Sequence, residues 1–353
     1  MKIINTALIG FGMAGSVFHS PVLSSIEGFE ITKIYTCNTE SIRKINRLYP
    51  KTQIVSEVKA ILSDPEVELV VIASPNTHHF TLAKEALLAD KHVVVDKPFT
   101  INSKEADELI ALAQKQDRVL SVFQNRRWDS DFKTIKKVIE SGMLGSLVEC
   151  EIHMDRYRNF IKDRAWREAD IPGSGVLYDL GSHLIDQALN LFGTPKALTA
   201  DLRMQRQIAK TTDNFELILH YDRLKVTLKS GMLVRAELPH FILLGENGSF
   251  VKYGVDIQEE DLKAGLTPLT KANWGEEPEQ LYGTLCTTVN GLDIKGKVKS
   301  EKGDYREYYT NIYDAIVLKS ELVVKPEQAR NTIRMIEYAM ESSESQRTIS
   351  ISL

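Results

Sequence analysis

The sequence predicts an α/β protein in two parts: an N-terminal doubly wound domain over residues 1–122 and a C-terminal α+β domain over residues 123–353 with a mainly antiparallel sheet. Three observations carry this. Short apolar strands alternate with helical stretches through the first third of the chain, as they do when helices cross between parallel strands. One of those strands, Val93-Val94-Val95, shows no polar alternation and so reads as buried on both faces. From about Asp129 onward longer strands of alternating character follow one another, the pattern of a sheet with one covered face.

Length and composition agree with two soluble-type domains. At 353 residues the chain exceeds the size at which one core keeps growing. With 43% hydrophobic and 26% charged residues and a net charge of −4, no basic surface is expected for nucleic acid or membrane, and a small-molecule partner is. Cys37, Cys150 and Cys286 are far apart and in no metal-like spacing, which fits a reducing, cytoplasmic setting. The start, M-K-I-I-N-T-A-L-I-G, has too short an apolar stretch for a signal peptide. No apolar run approaches the roughly 18 residues that would span a bilayer.

Within the first domain, the strand Ile3 to Ile9 runs straight into Gly10-Phe11-Gly12-Met13-Ala14-Gly15. Strand, G-x-G-x-x-G and helix is the Rossmann arrangement. Its glycines allow a tight turn and close approach of a pyrophosphate, although a bare glycine turn shares the pattern. The second strand, Ile31 to Thr36, ends about 20 residues on, where an acidic side chain would hold the ribose hydroxyls of NAD. Here it reads Tyr35-Thr36-Cys37-Asn38-Thr39, with Arg43 and Lys44 one helical turn further. A missing carboxylate removes repulsion against a 2′-phosphate, so NADP is expected over NAD; the alternative is that Glu40 reaches back to the ribose. A helix around Ser56 to Leu62, a strand Leu69 to Ile72 and a helix Thr77 to Leu88 continue the alternation. The turn Ser74-Pro75-Asn76 faces the same crevice, and His79 either touches a ligand there or caps its own helix. The strand of valines stops on Asp96-Lys97-Pro98, where proline stiffens the elbow carrying the lysine. A helix Ser103 to Gln116 and a strand Val119 to Phe123, ending in Gln124-Asn125-Arg126-Arg127, complete the domain.

The second domain opens with a helix Ser130 to Ser141, closed by Gly142. Strands are expected at Leu147 to Asp155, Ala197 to Ile208, Asn214 to His220, Leu224 to Lys229 and His240 to Leu244, a surface loop at Asn290 to Gly303, and helices at Tyr309 to Leu318 and Pro326 to Glu344. If Asp179 to Leu191 is helical, Asp179, His183 and Asp186 share a face. A carboxylate four residues from an imidazole suits a general acid/base, but a buried hydrogen-bonded helix start or a surface stripe gives the same spacing. No ligand spacing supports a metal. Trp166-Arg167 and Asn125-Arg126 are candidates for the cofactor cleft, with surface packing as the alternative.

In this order the segments resemble the glucose–fructose oxidoreductase, inositol dehydrogenase and rhizopine-catabolism oxidoreductase family. The motifs that carry the resemblance are Gly10 to Gly15, Ser-Pro-Asn-x-x-His at Ser74 to His79, Asp96-Lys97-Pro98, and Asp179-x-x-x-His183. The family usually has Glu where Asp96 stands. Phe18 to Pro21 and Gln124 to Asp131 look most like its NADP-dependent scyllo-inositol dehydrogenase branch. The resemblance implies a polyol or sugar substrate and a homodimer or homotetramer pairing through the open face of the second sheet. On this reading Lys97 binds the reacting oxygen, His183 exchanges its proton, and Asp179 orients His183 or binds a neighbouring hydroxyl. Two alternatives remain beside it: a non-catalytic NADP-binding sensor, and a reductase of a non-carbohydrate such as a linear tetrapyrrole.

Overall fold

The computed structural model describes residues 2–161 and 166–353. The chain packs as two compact units. One comprises Met1–Asn125, Gln258–Trp274 and Asp304–Arg330, the other Arg126–Ile257, Gly275–Gly303 and Asn331–Leu353.

The first unit is built on a six-stranded parallel sheet of β1 (Ile4–Ile9), β2 (Phe29–Tyr35), β3 (Gln53–Val55), β4 (Leu69–Ile72), β5 (His92–Val95) and β6 (Leu120–Val122), in the order β3-β2-β1-β4-β5-β6. Its crossovers carry α1 (Ser20–Leu23, entered through a π-helical turn Ala14–His19), α2 (Thr39–Leu48), α3 (Lys59–Leu62), α4 (His79–Leu88) and α5 (Ser103–Lys115). Leu69, Val70, Val71, Ile72, Val93, Val94 and Val95 are completely buried, which is why neither strand alternates. The chain steps outward from β1 to β3 and then returns to the other side of β1 at β4. The carboxyl ends of β1 and β4 therefore flank the switch point at which such sheets bind ligands.

The second unit holds α6 (Ser130–Glu140), β7 (Leu147–His153), α7 (Ser182–Phe192, entered through a π-helical turn Leu177–Gly181), β8 (Ala197–Arg203), β9 (Asn214–His220), β10 (Lys225–Gly231), β11 (Phe241–Gly245), β12 (Gly248–Lys252), β13 (Gly283–Val289), β14 (Leu292–Val298) and β15 (Ile349–Ser350). Its nine strands lie in the order β14-β13-β12-β11-β7-β10-β9-β8-β15, with β7 and β10 parallel and the other neighbours antiparallel. Phe215, Leu217 and Leu219 of β9 are buried between partly exposed neighbours, so one face forms the core. β8 stops at Arg203, short of the expected Ile208, because the backbone amides of Gln205 and Arg206 donate to the Asp213 carboxylate at 2.7 and 3.1 Å.

Two segments depart from a single cut at residue 122. α8 (Gln258–Lys263) and α9 (Arg306–Val317) lie in stretches that belong to the first unit. The Gln258 side-chain oxygen accepts from Trp274 Nε1 and the Tyr305 amide, both at 2.9 Å. Tyr308 donates to Ser121 Oγ at 3.1 Å, Ser121 Oγ donates to the Val324 carbonyl at 2.8 Å, and Tyr313 donates to the Lys2 carbonyl at 2.8 Å. The expected loop at Asn290 to Gly303 is also corrected: Leu292–Val298 is an edge strand pairing with β13 along its whole length. The helix expected from Ser56 shortens to α3. The last helix, α10 (Pro326–Ser345), presents Ser342 and Ser343 to the β8 amides of Ala200 and Leu202 at 3.0 and 3.1 Å.

The second unit also buries a complete ion pair. Lys252 Nζ donates to Glu277 Oε2 and to the Leu281 carbonyl, both at 2.8 Å, and Ser130 Oγ donates to Glu277 Oε1 at 2.7 Å. Both side chains have no solvent exposure. Removing one partner strands the other, which costs about 3–5 kcal/mol for a buried pair. Lys252→Met is therefore expected to lower stability by that amount in urea unfolding, and Lys252→Met/Glu277→Gln to regain most of it. Equal losses in the single and double variants would contradict the account.

Candidate active site

The sequence-predicted residues of the first unit gather at the carboxyl ends of one sheet. Gly10, after β1, has φ +104°, and its amide donates to the Tyr35 carbonyl at 3.2 Å. A Cβ on Gly10 would meet the Ala73 carbonyl oxygen at 2.7 Å, and one on Gly15 would meet the Gly10 carbonyl oxygen at 2.2 Å. These two glycines are thus closed in by backbone. Gly12 is the opposite: it is exposed, with nothing within 4 Å of where a Cβ would stand. Between buried Phe11 and half-buried Ala14, Gly12 and Met13 stand exposed at the start of a helix, the placement that admits a pyrophosphate. Gly15→Ala is expected to force the turn off β1 and to weaken dinucleotide binding at least tenfold, about 1.4 kcal/mol. Calorimetric titration checks this, and an unchanged dissociation constant would refute it.

At the end of β2, Thr36 is buried and its hydroxyl accepts from the Asn38 amide at 3.2 Å. The Asn38 side-chain oxygen caps α2 by accepting from the Ser41 amide at 2.9 Å. Glu40 and Arg43 stand exposed on the first turns of α2. No acidic side chain therefore occupies the strand end itself.

After β4, Ser74 is half-buried, Pro75 exposed and Asn76 buried. His79, expected to touch a ligand or cap its helix, has another task in the structure. Its Nδ1 lies 2.9 Å from the Pro98 carbonyl and its Nε2 3.0 Å from the Ser74 carbonyl. The ring clamps the loop after β4 to the loop after β5. Both oxygens can only accept, but burial pushes the His79 pKa down despite the opposing pull of Asp96. Each ring nitrogen is placed to donate to a carbonyl, while burial disfavours the charged ring.

After β5, the Asp96 side chain turns inward while Lys97 leads into a cis bond to Pro98. Burial opposes ionisation of Asp96, yet His19, Lys97 and His79 around it hold its carboxyl below the usual range. His19 Nε2 faces Asp96 Oδ1 at 3.5 Å, and His19 Nδ1 lies 2.5 Å from the Tyr309 hydroxyl. Sequence reasoning missed His19 and Tyr309, since they are 290 positions apart. Asn125, buried beyond β6, completes the set in this unit.

Trp166, Arg167, Asp179 and His183 belong to the second unit. Asp179 sits in the π-helical turn, not on the regular helix assumed from spacing, and its carboxylate lies 3.1 Å from Arg167 Nε. The Arg167 guanidinium stacks 4.5 Å from the Trp166 ring centre. His183 is buried in the first turn of α7. Asp186 forms a buried bidentate pair with Arg127, at 2.6 and 2.8 Å. Arg126 pairs with Asp129 at 3.0 Å and Arg158 with Glu168 at 3.3 Å, so these arginines have local acidic partners. Among the described residues no group of three or more His, Cys, Asp or Glu side chains is placed to hold a metal ion, and no helix is long and apolar enough to cross a membrane.

A parallel doubly wound sheet with this glycine turn is a dinucleotide-binding fold, and comparison with known proteins gives the class of protein. Residues 4–124 match the model described as oxidoreductase family, NAD-binding Rossmann fold, and residues 136–351 match oxidoreductase family, C-terminal alpha/beta domain. The chain belongs to the Gfo/Idh/MocA oxidoreductase family. It is 42% identical to scyllo-inositol 2-dehydrogenase (NADP(+)) IolW of Bacillus subtilis, covering 98% of this chain and 95% of that protein. It is 43% identical to the uncharacterized oxidoreductase YdgJ of Escherichia coli, over 98% of each. Among solved structures, yvaA of Bacillus subtilis superposes with a TM-score of 0.95 at 40% identity, covering 99% of both chains. An oxidoreductase from Bacillus cereus gives 0.90 at 34% identity, again over 99% of both.

Proposed function

We propose that the protein is an NADP-dependent dehydrogenase or reductase acting on a CH–OH group of a cyclic polyol or sugar, with scyllo-inositol the first candidate. The observation that carries this reading is the position of Lys97: a cation at the carboxyl end of β5, in the same strand-end row as the open glycine turn. The likeness to an NADP(+)-dependent scyllo-inositol 2-dehydrogenase supports the substrate class, and the uncharged Thr36 at the end of β2 supports NADP.

When bound, the nicotinamide supplies the hydride chemistry. The chain's own residues supply position and charge. The Gly12 turn accepts the pyrophosphate, and Asn38 and Arg43 face the adenosine end. Lys97 donates to the reacting oxygen and stabilises the negative charge it develops. His183 takes the hydroxyl proton during oxidation and returns it during reduction. Asp179, with Arg167, binds a hydroxyl beside the reacting one or steadies His183.

The test is a rate comparison of cyclic polyols, aldoses and lactones with NADP and NAD, followed through the absorbance of the reduced nicotinamide. The proposal expects a cyclic polyol or sugar to be the best substrate and NADP the better cofactor. Tight NADPH binding without turnover on any of them would indicate a sensor, and turnover only of an apolar carbonyl or tetrapyrrole would indicate a different reductase. Thr36→Asp should then cut the NADP-to-NAD ratio of kcat/KM by about ten- to a hundredfold, because like charges brought together cost upwards of a kcal/mol. An unchanged ratio would show that the 2′-phosphate is held elsewhere.

A further inference from the structure

His19, Asp96 and Tyr309 are all buried in the first unit, and the roles assigned above leave all three without a task. Their contacts have a direction. A carboxylate only accepts, so the His19 nitrogen that faces Asp96 carries the proton. The other nitrogen, Nδ1, then accepts, and the Tyr309 hydroxyl donates to it. Burial raises the Tyr309 pKa well above the usual value, which keeps that hydroxyl a donor at every working pH. The ring is further held by Phe123, whose centroid lies 4.3 Å away. Tyr309, on α9, is packed edge-on against Phe29 and Tyr308 at 5.9 and 5.1 Å. The result is a row in which a hydrogen bond joins Tyr309 to His19 and the His19 ring faces Asp96 at 3.5 Å, one residue before Lys97.

We propose that Tyr309 and His19 are positioning residues that hold the Asp96 anion in place, and that this anion keeps the neighbouring Lys97 amine protonated and oriented for its substrate oxygen. The groups facing Asp96 come from four places. They are His19 from the helix after the glycine turn, His79 from α4, Tyr309 with Tyr308 behind it from α9, and Lys97 from its own loop. Of these, Lys97 is the one group with a permanent positive charge near neutral pH. His19 first, and Lys97 after it, hold the Asp96 carboxyl in its anionic form. The role of Lys97 rests on the reaction proposed above, so the test separates the two.

The side-chain amines are tagged by reductive ¹³C-methylation, and the Lys97 resonance is identified by its loss in Lys97→Arg. Its titration is then followed by NMR in the intact protein. Asp96→Asn is expected to lower the pH at which Lys97 loses its proton by about one unit or more, since removing a neighbouring opposite charge has that effect. Asp96→Glu should restore most of the shift. Tyr309→Phe removes one oxygen from a residue otherwise well packed and should produce a smaller shift in the same direction, as should His19→Gln. On the best substrate, Asp96→Asn should also lower kcat at least tenfold and move the alkaline limb of its pH profile down, with NADPH affinity within about twofold of the parent.

An identical Lys97 titration in the parent and Asp96→Asn would overturn the proposal whatever the turnover. So would a Lys97 titration displaced as far in Asp96→Glu as in Asp96→Asn. If Asp96→Asn proves unfolded, Tyr309→Phe and His19→Gln decide alone, and an unmoved Lys97 in both would sink the idea. The expected titration shifts with no turnover on any polyol or sugar would instead retain the row and remove the proposed reaction.

Discussion

Lys97→Met is expected to lower kcat by about 10²- to 10³-fold, the loss seen when one preorganised donor to a developing oxyanion is removed. Methionine keeps the length and apolar stem of lysine, so the effect isolates the ammonium. The residue follows three completely buried valines and Asp96, and the adjoining loop is tied to the loop after β4 through His79, so the backbone should hold. NADPH affinity is expected to change little, and KM for the polyol to change less than kcat, because the interaction strengthens as charge develops. Turnover within a few fold of the parent would remove Lys97 from the chemistry.

The second large effect is that of His183→Ala, expected to cost about 10²- to 10⁴-fold in kcat, the usual range for a positioned acid/base. His183 is buried in the first turn of α7, whose next turn is fastened by the Arg127–Asp186 pair. That pair lets the helix tolerate the loss. A flattened pH profile should accompany the fall in rate, since the group that must change protonation is gone. An equal loss at every pH with the profile unchanged in shape would assign His183 to packing and not to proton exchange.

The contrast between these residues shows what the sequence could reveal. Lys97 was legible because three buried valines and a proline mark where the strand stops, all within seven positions. The glycine turn was legible for the same local reason. β14 was not read, though its signal was there. Asn290-Gly291 sits between Val289 and Leu292 with φ +51° and +79°, the two-residue turn that closes a hairpin. The lysines and glycine of Leu292–Val298 concealed it, because an edge strand exposed on nearly every residue needs no apolar face. The contact of Tyr309 with His19 left no local mark, although Phe18 to Pro21 carried part of the resemblance. Their contact depends on Asp304–Arg330 returning to the first unit, and no period in either segment encodes that. Asp186 was legible only in part: helical spacing put it on a stripe with His183, but its pairing with Arg127, 59 positions away, left no local mark.

The measurement that bears most directly on the account is isotope transfer. The protein is incubated with NADP and whichever cyclic polyol turns over fastest, deuterated at its carbinol carbons, and the reduced cofactor is weighed by mass spectrometry. The account predicts that the parent yields NADPH carrying one deuterium, and that Lys97→Met and His183→Ala yield the same product far more slowly. Reduced cofactor without deuterium, or no reduced cofactor with any polyol or sugar tried, would contradict it.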